Sequence, residues 1–267
     1  MTTRHSPNPS SSTSAFSGLF RTINDTGLLP IFGLICLGII YLLDLNQTLF
    51  LLINEISLLT GETLWAAVTL FGDPIILVCL ALSLYAILPR ISFAIIPTLI
   101  IGGSAVMYFK WLFAVVRPSG VLQDIVIIGI PPVSGAFPSG HTAGAFALAT
   151  LFMLLTSKPY IKYLILTLAM LVGISRIAVG VHWPLDVSAG IVLGWLSAII
   201  GFFISKNVKA SANNAIAINL LLLIFSIYLL FRNTGYNQVQ LIQWLIAISG
   251  ISIAAISLIK SGKSKTG

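Results

Sequence analysis

Long apolar runs alternate with short polar breaks along most of this chain. Runs of spanning or near-spanning length lie at 27–43, 64–88, 91–113, 141–156, 159–181, 185–205, 214–231 and 238–259. A hydrocarbon core about 30 Å thick takes about 20 apolar residues of helix, so each run predicts a membrane helix, two of them short. Between the first two runs the pattern changes. In "DLNQTLFLLINEISLLTGE", Leu45, Leu49, Leu52, Ile56 and Leu59 recur at steps of four and three, one stripe of a helix, with Asp44, Gln47, Asn54 and Glu55 off it. That predicts an amphipathic helix lying on the membrane surface. In the second run "FGDPII" sets Asp73 before Pro74, a helix start that breaks the segment there.

Composition narrows the class. Of the 267 residues 57% are hydrophobic and 8% charged, against about 25% charged in soluble domains. The mean hydropathy is +1.04. The fold class expected is all-α, a polytopic membrane helix bundle. A net charge of +7 does not indicate nucleic acid, because the basic residues stand singly between apolar runs rather than on one face. Cys36 and Cys79 each lie inside an apolar run and are expected as buried small side chains, not a disulfide. Residues 1–26 are rich in Ser, Thr and Pro and lack a signal peptide's apolar core. They are expected as a solvated tail, an organelle transit segment being the lesser alternative.

Charge asymmetry then orients the chain. With eight spans and an internal N-terminus, Arg4, Arg21, Arg90, Lys158, Lys162, Lys206, Lys209, Lys260, Lys263 and Lys265 all fall inside. Only Lys110, Arg117, Arg176 and Arg232 fall outside, together with Asp44, Glu55, Glu62, Asp73, Asp124 and Asp186. Three of those outer cations gather with other polar groups. Lys110 and Arg117 bracket "KWLFAVVRP" at the outer end of the third span. Ser139, Gly140 and His141 open the fourth span in "FPSGHTAG". Arg176 ends the fifth, and His182 and Asp186 begin the sixth in "SRIAVGVHWPLD". Alternate ends of an antiparallel bundle meet, so these groups share one face.

Taken singly, each has an ordinary explanation. A lysine or arginine at a helix end snorkels to the headgroups. A serine caps a helix. His182 and Asp186 hydrogen-bond locally. Together they need a common reason, because a midplane charge costs about 2.5–3.5 kcal/mol on insertion scales. Three fixed cations suit a multiply charged anion, of which phosphate is the commonest. Arginine forks match its oxygens and lysine adds a point charge. The N–H groups at the start of the fourth helix, around Gly140, add donors and a favourable dipole. Two histidines then divide phosphoryl transfer. Asp186 can fix the tautomer of His182 for attack on phosphorus. His141 is available to protonate the departing oxygen.

In these residues the chain resembles the type 2 phosphatidic acid phosphatase (PAP2) superfamily. "KWLFAVVRP", "PSGH" and "SRIAVGVHWPLD" match its three signatures, K-x6-RP, PSGH and SR-x5-H-x3-D, complete and in order across 110–186. The resemblance implies a six-helix core over 27–205 and a lipid phosphatase with a phosphohistidine intermediate on His182. It also implies His141 as general acid and Asp186 as the partner of His182. Lys110, Arg117 and Arg176 would bind phosphate, with Ser139 and Gly140 assisting. No metal and no cofactor is implied. Expected partners are a phosphorylated lipid substrate and membrane lipids, with no nucleic acid. The expected location is a cell membrane of bacterial type, with the site on the extracytoplasmic side. Residues 206–267 would add two transmembrane helices and a basic cytoplasmic tail, to which no role attaches.

Rivals fit less well. Two histidines and an aspartate imitate a metal triad, but three neighbouring cations repel a divalent ion. A serine protease built on Ser139 and His141 leaves the cations unexplained. An anion or phosphate transporter would place its site near the midplane rather than at one face. A phosphotransferase passing phosphate from His182 to another lipid remains the closest alternative. Candidate substrates implied by the family are phosphatidic acid, phosphatidylglycerophosphate, polyprenyl pyrophosphate and lipid A phosphates. Loop 118–137, with Asp124 as its one charge, is expected to line a lipid-tail entry.

Overall fold

A computed structural model describes residues 26–263, and every described element is helical. The polar tail expected at 1–26 falls, but for Thr26, outside the described residues. The first apolar run is α1 (Leu28–Leu42), and α2 (Asn46–Thr60) turns away from it by 110°. The second run breaks where the sequence says it should. α3 (Glu62–Leu70) and α4 (Pro74–Ser83) meet at 59°. Asp73 caps α4, its Oδ1 accepting from the N–H groups of Ile75 at 2.9 Å and Ile76 at 3.4 Å. There follow α5 (Pro89–Phe113), α6 (Gly140–Leu155), α7 (Pro159–Ala178), α8 (Pro184–Ser205), α9 (Ala212–Phe231) and α10 (Gln240–Lys263). Proline opens α4, α5, α7 and α8, where its missing N–H would have had no helical partner.

The α2 stripe faces the other way from the protein. Leu52, Ile56 and Leu59 are exposed, whereas Phe50, Asn54 and Ser57 are buried against it. The leucine face is therefore free to meet lipid, and the polar Asn54 points inward. Similar exposed apolar faces run along α1, α9 and α10, with Leu34, Ile35, Ile224, Leu245 and Ile248 among them. A water-soluble protein does not expose apolar surface on this scale. Among the described residues five helices are long and apolar enough to cross a membrane, and the bent pairs α1–α2 and α3–α4 each pass when taken as one segment. The protein is an integral membrane protein.

α6 lies at the centre, packed on α8, α7 and α5. Small residues let the backbones meet there. A Cβ on Gly190 of α8 would stand 2.8 Å from the carbonyl oxygen of Ser139, and one on Gly194 would collide with that of Ala143. This close crossing sets the N-termini of α6 and α8 side by side. α9 and α10 form a hairpin that packs on α4. Cys79 is buried as expected, while Cys36 is only partly covered, and both are free thiols.

Candidate active site

The expected site residues come together at one end of the bundle. The two signature helix starts are tied directly, the Ser139 N–H donating to the Asp186 carbonyl at 3.0 Å. After α7 the chain turns back on itself, and the N–H groups of Val181 and His182 both donate to the carbonyl of Arg176, at 3.3 and 3.2 Å. That turn carries His182 to the first residues of α8. There Nδ1 of His182 lies 3.1 Å from Oδ2 of Asp186, which also accepts the Trp183 N–H at 2.8 Å. Nδ1–H facing a carboxylate leaves the lone pair on Nε2. Nε2 in turn faces Nη1 of Arg117 at 3.5 Å.

Arg117 is held by backbone carbonyls. Its Nε donates to Ser134 at 2.8 Å, Nη2 to Gly135 at 3.2 Å, and Nη1 to Val181. Lys110 donates to the same Gly135 carbonyl. The far end of loop 118–137 thus binds the cations of the first signature, a role that its apolar composition did not suggest. Elsewhere Val121, Ile127 and Ile130 of the loop are exposed. Arg176, 2% exposed, donates from Nη1 to the hydroxyls of Thr69 and, at 2.9 Å, Tyr236. Its buried Nε has no acceptor among the described residues.

Ser139 is the N-cap of α6, its Oγ accepting from the Thr142 N–H at 3.4 Å and the Thr142 hydroxyl at 2.9 Å. The ordinary capping explanation therefore holds, and the serine's own hydroxyl hydrogen is still available. Gly140 is not demanded by protein packing, since a Cβ there would make only an ordinary contact, 3.5 Å from Val106. At the start of α6 the Gly140 and His141 N–H groups have no helical partner and point out of the helix end. His141 lies against Gly72, where a Cβ would stand 2.9 Å from its own. No protein group among the described residues holds either ring nitrogen.

Burial pushes the pKa of His182 well below that of a free imidazole. The charges of Arg176, Arg117 and Lys110 act in the same direction, and His141 adds least. The ring is therefore neutral at neutral pH. Two apolar cavities flank the start of α6. One of about 270 Å³ lies between α1, α5 and α8, beneath Phe137 and Pro138. Another of about 200 Å³ lies between α4, α5, α6 and α8, and Gly103, Val106 and Gly140 are on its wall.

Sequence reasoning missed several contributors. Asn54 donates to the carbonyls of Val126 at 2.9 Å and Ala178 at 3.0 Å and accepts from Val126 N–H at 2.9 Å. It locks the loop before the site to the end of α7. Its position off the apolar stripe was the only signal. Thr69 and Tyr236 stand outside every motif. Arg232, the fourth outer cation, pairs with Asp73.

A neutral histidine oriented by a carboxylate, ringed by fixed cations at the end of a membrane bundle, defines a phosphatase of the membrane-embedded class. The PAP2 superfamily model matches residues 75–209, so the chain belongs to that family. It is 30% identical over 155 residues to the undecaprenyl-diphosphatase of Sulfolobus acidocaldarius, covering 57% of this chain and 75% of that protein. Over 87 residues it is 48% identical to the bacitracin transport permease protein BcrC of Bacillus licheniformis, covering 33% of this chain and 42% of that one. The crystal structure of Aquifex aeolicus LpxE superposes with a TM-score of 0.54 at 31% identity, over 60% of this chain and 95% of that one.

Proposed function

We propose that the protein hydrolyses a lipid phosphomonoester or pyrophosphate at the extracytoplasmic face of a bacterial-type cell membrane, through a phosphohistidine and without a metal. The observation that carries this reading is the pairing of His182 with Asp186, which turns a lone pair on Nε2 toward the cations. Lys110, Arg117 and Arg176 would hold the phosphate oxygens, helped by the Gly140 and His141 N–H groups and the Ser139 hydroxyl. Nε2 of His182 attacks phosphorus as the bond to the leaving oxygen breaks, and His141 gives that oxygen its proton. His141 then takes a proton from water, whose oxygen attacks phosphorus, and the P–N bond breaks to release phosphate and restore His182. The cations bind the charge that develops on the equatorial oxygens. Residues 27–205 form the catalytic core in this reading, with 206–267 added to it.

Apolar space beside a charged site suits an amphiphile. The two cavities flanking Pro138 and Gly140 fit the first methylenes of a lipid chain while its phosphate sits on the helix end. The undecaprenyl-diphosphatase relative supports a polyprenyl pyrophosphate among the substrates, alongside phosphatidic acid, phosphatidylglycerophosphate and lipid A phosphates. The name of the Bacillus licheniformis relative, matched over 42% of its length, is the ground for a second reading as an anion transporter, whereas the BcrC of Bacillus subtilis is named an undecaprenyl-diphosphatase. Both are tested by supplying purified protein with these lipids and measuring released phosphate and acid-labile phosphoprotein. Hydrolysis with a trappable phosphohistidine is expected. Binding without phosphate release supports transport, and appearance of the phosphate on a second lipid supports a phosphotransferase. Labelling of cysteines introduced into 118–137 from the cytoplasmic side alone would reverse the orientation.

A further inference from the structure

The hairpin of α9 and α10 lies beyond the segment that matches the family model, yet its connection reaches the site. Three links tie residues 232–236 to the catalytic end of the bundle. Arg232 pairs with Asp73, the Ile130 N–H donates to the Gly235 carbonyl at 3.2 Å, and Nη1 of Arg176 donates to the Tyr236 hydroxyl at 2.9 Å. The connection is also stiffened from within. Nε2 of Gln243 donates to the carbonyls of Leu229 at 2.6 Å and Arg232 at 2.7 Å, and Oε1 accepts the Thr234 hydroxyl at 3.0 Å. Tyr236 is buried, and Gly129, at φ +81°, brings its backbone against the ring, where a Cβ would stand 2.7 Å from Cε1.

Tyr236 meets Arg176 at a corner that matters. A guanidinium is planar, so two acceptors on one terminal nitrogen fix where its remaining N–H groups point. Here both acceptors, Thr69 and Tyr236, sit on Nη1, and the buried Nε is left without one. A buried N–H in want of an acceptor, on a side chain clamped at its other corner, marks a fork held ready for an incoming oxygen. Simple space-filling explains the ring of Tyr236 but not the placement of its hydroxyl.

We propose that Tyr236 is a positioning residue of the phosphate site, setting the plane of Arg176, and that the C-terminal hairpin is thereby part of the catalytic apparatus. This rests on Arg176 being a phosphate ligand. The full-length protein carries the test, with orthovanadate binding and phosphate release from phosphatidic acid as readouts. Tyr236→Phe keeps the ring and removes the hydroxyl. Vanadate affinity and kcat/KM are each expected to fall about tenfold, with the unfolding temperature little changed. In an Arg176→Lys background, where no fork is left to orient, the same change should cost less than about twofold. Thr69→Val, which removes the other acceptor of the same nitrogen, should show the same dependence on Arg176 and serves if Tyr236→Phe misfolds. Unchanged vanadate affinity in both hydroxyl variants overturns the proposal, as do losses that multiply with Arg176→Lys. If Arg176→Lys alone leaves vanadate binding intact, Arg176 is no phosphate ligand, and the proposal falls with that reading.

Discussion

Oδ2 of Asp186 accepts from Nδ1 of His182 at 3.1 Å while the Trp183 N–H, at 2.8 Å, holds the same oxygen in place. Both side chains are nearly excluded from solvent, at 3% and 1% exposure. The carboxylate therefore sets which nitrogen of the ring carries the proton, and the proposed mechanism needs the lone pair this leaves on Nε2. Asp186→Asn keeps the volume but loses the charge that favours this tautomer. It should lower kcat on the order of 10⁴-fold, as the same change does where a carboxylate orients a general-base histidine, while KM changes little. His182→Ala should leave no phosphoprotein at all. Rapid-quench measurement of phosphoprotein formation separates the two, and a loss below tenfold in Asp186→Asn would remove the carboxylate from the mechanism.

The His182–Asp186 pair was legible in the sequence because four residues on a helix start are one turn apart. So were the helices, whose apolar runs match α1 and α5–α10 closely, and the α3–α4 break, whose Asp-Pro signal is local. Other features were not legible, and the reason is the same for each. Asn54 binds carbonyls at 126 and 178, Tyr236 binds Arg176, and Arg232 binds Asp73. Each is a single residue whose partner lies many tens of positions away, so no spacing announces it. The α2 stripe was legible too, since Leu52, Ile56 and Leu59, read as the face of a surface helix, are exposed on the side away from the protein. Periodicity did not show what the opposite face does, which is to bury Asn54 against the loop before the site.

The proposed mechanism has His141 protonate the leaving group, and the need for that proton depends on substrate chemistry. A poor leaving group such as a lipid alkoxide needs the proton, whereas nitrophenolate does not. His141→Asn should therefore slow hydrolysis of a lipid phosphomonoester about 10²–10⁴-fold and that of nitrophenyl phosphate much less. Comparing kcat on the two substrates checks this. Equal losses would mean that His141 serves binding rather than proton transfer.

The pH profile follows from the sign of the His182 shift. A lowered pKa keeps the imidazole neutral to lower pH, so the acid limb of kcat/KM should fall below the ordinary value of about 6.5. After burial, the largest causes are the charges of Arg176 and Arg117. Removing one of them, in Arg117→Gln, should move the acid limb upward. The substrate's own ionisation is common to both enzymes and cancels in the difference. A limb that stays put or moves downward contradicts the electrostatic account of His182.

Crossing of α6 and α8 should couple stability to activity. A methyl group on Gly194 has no room against the Ala143 carbonyl, so Gly194→Ala must push the two helices apart. Overpacking of this kind costs about 1–3 kcal/mol. Because the same crossing places Ser139 beside Asp186, kcat should fall along with the unfolding temperature. Gly103→Ala on α5, where a Cβ meets nothing within 4 Å, is the matched control and should not lower stability, since alanine is favoured over glycine inside a helix by up to about 1 kcal/mol.

The source of positive charge distinguishes this mechanism from any that relies on a metal. If Lys110, Arg117 and Arg176 neutralise the phosphate, chelator should leave activity intact. Vanadate should inhibit, because its five-coordinate form imitates the transition state and such analogues bind far more tightly than substrate. Its hold should depend on His182 as the apical nitrogen and on the three cations about the equatorial oxygens. Arg176→Ala should then weaken vanadate binding and kcat/KM by similar factors, since both report the same charged geometry. Arg176→Lys should restore only part, because a point charge does not reproduce a planar fork. The comparison needs only inhibition curves and rates on the unsubstituted protein and these two variants. Activity that disappears in chelator and returns with magnesium or zinc would assign the charge to a metal and leave Arg176 a structural residue.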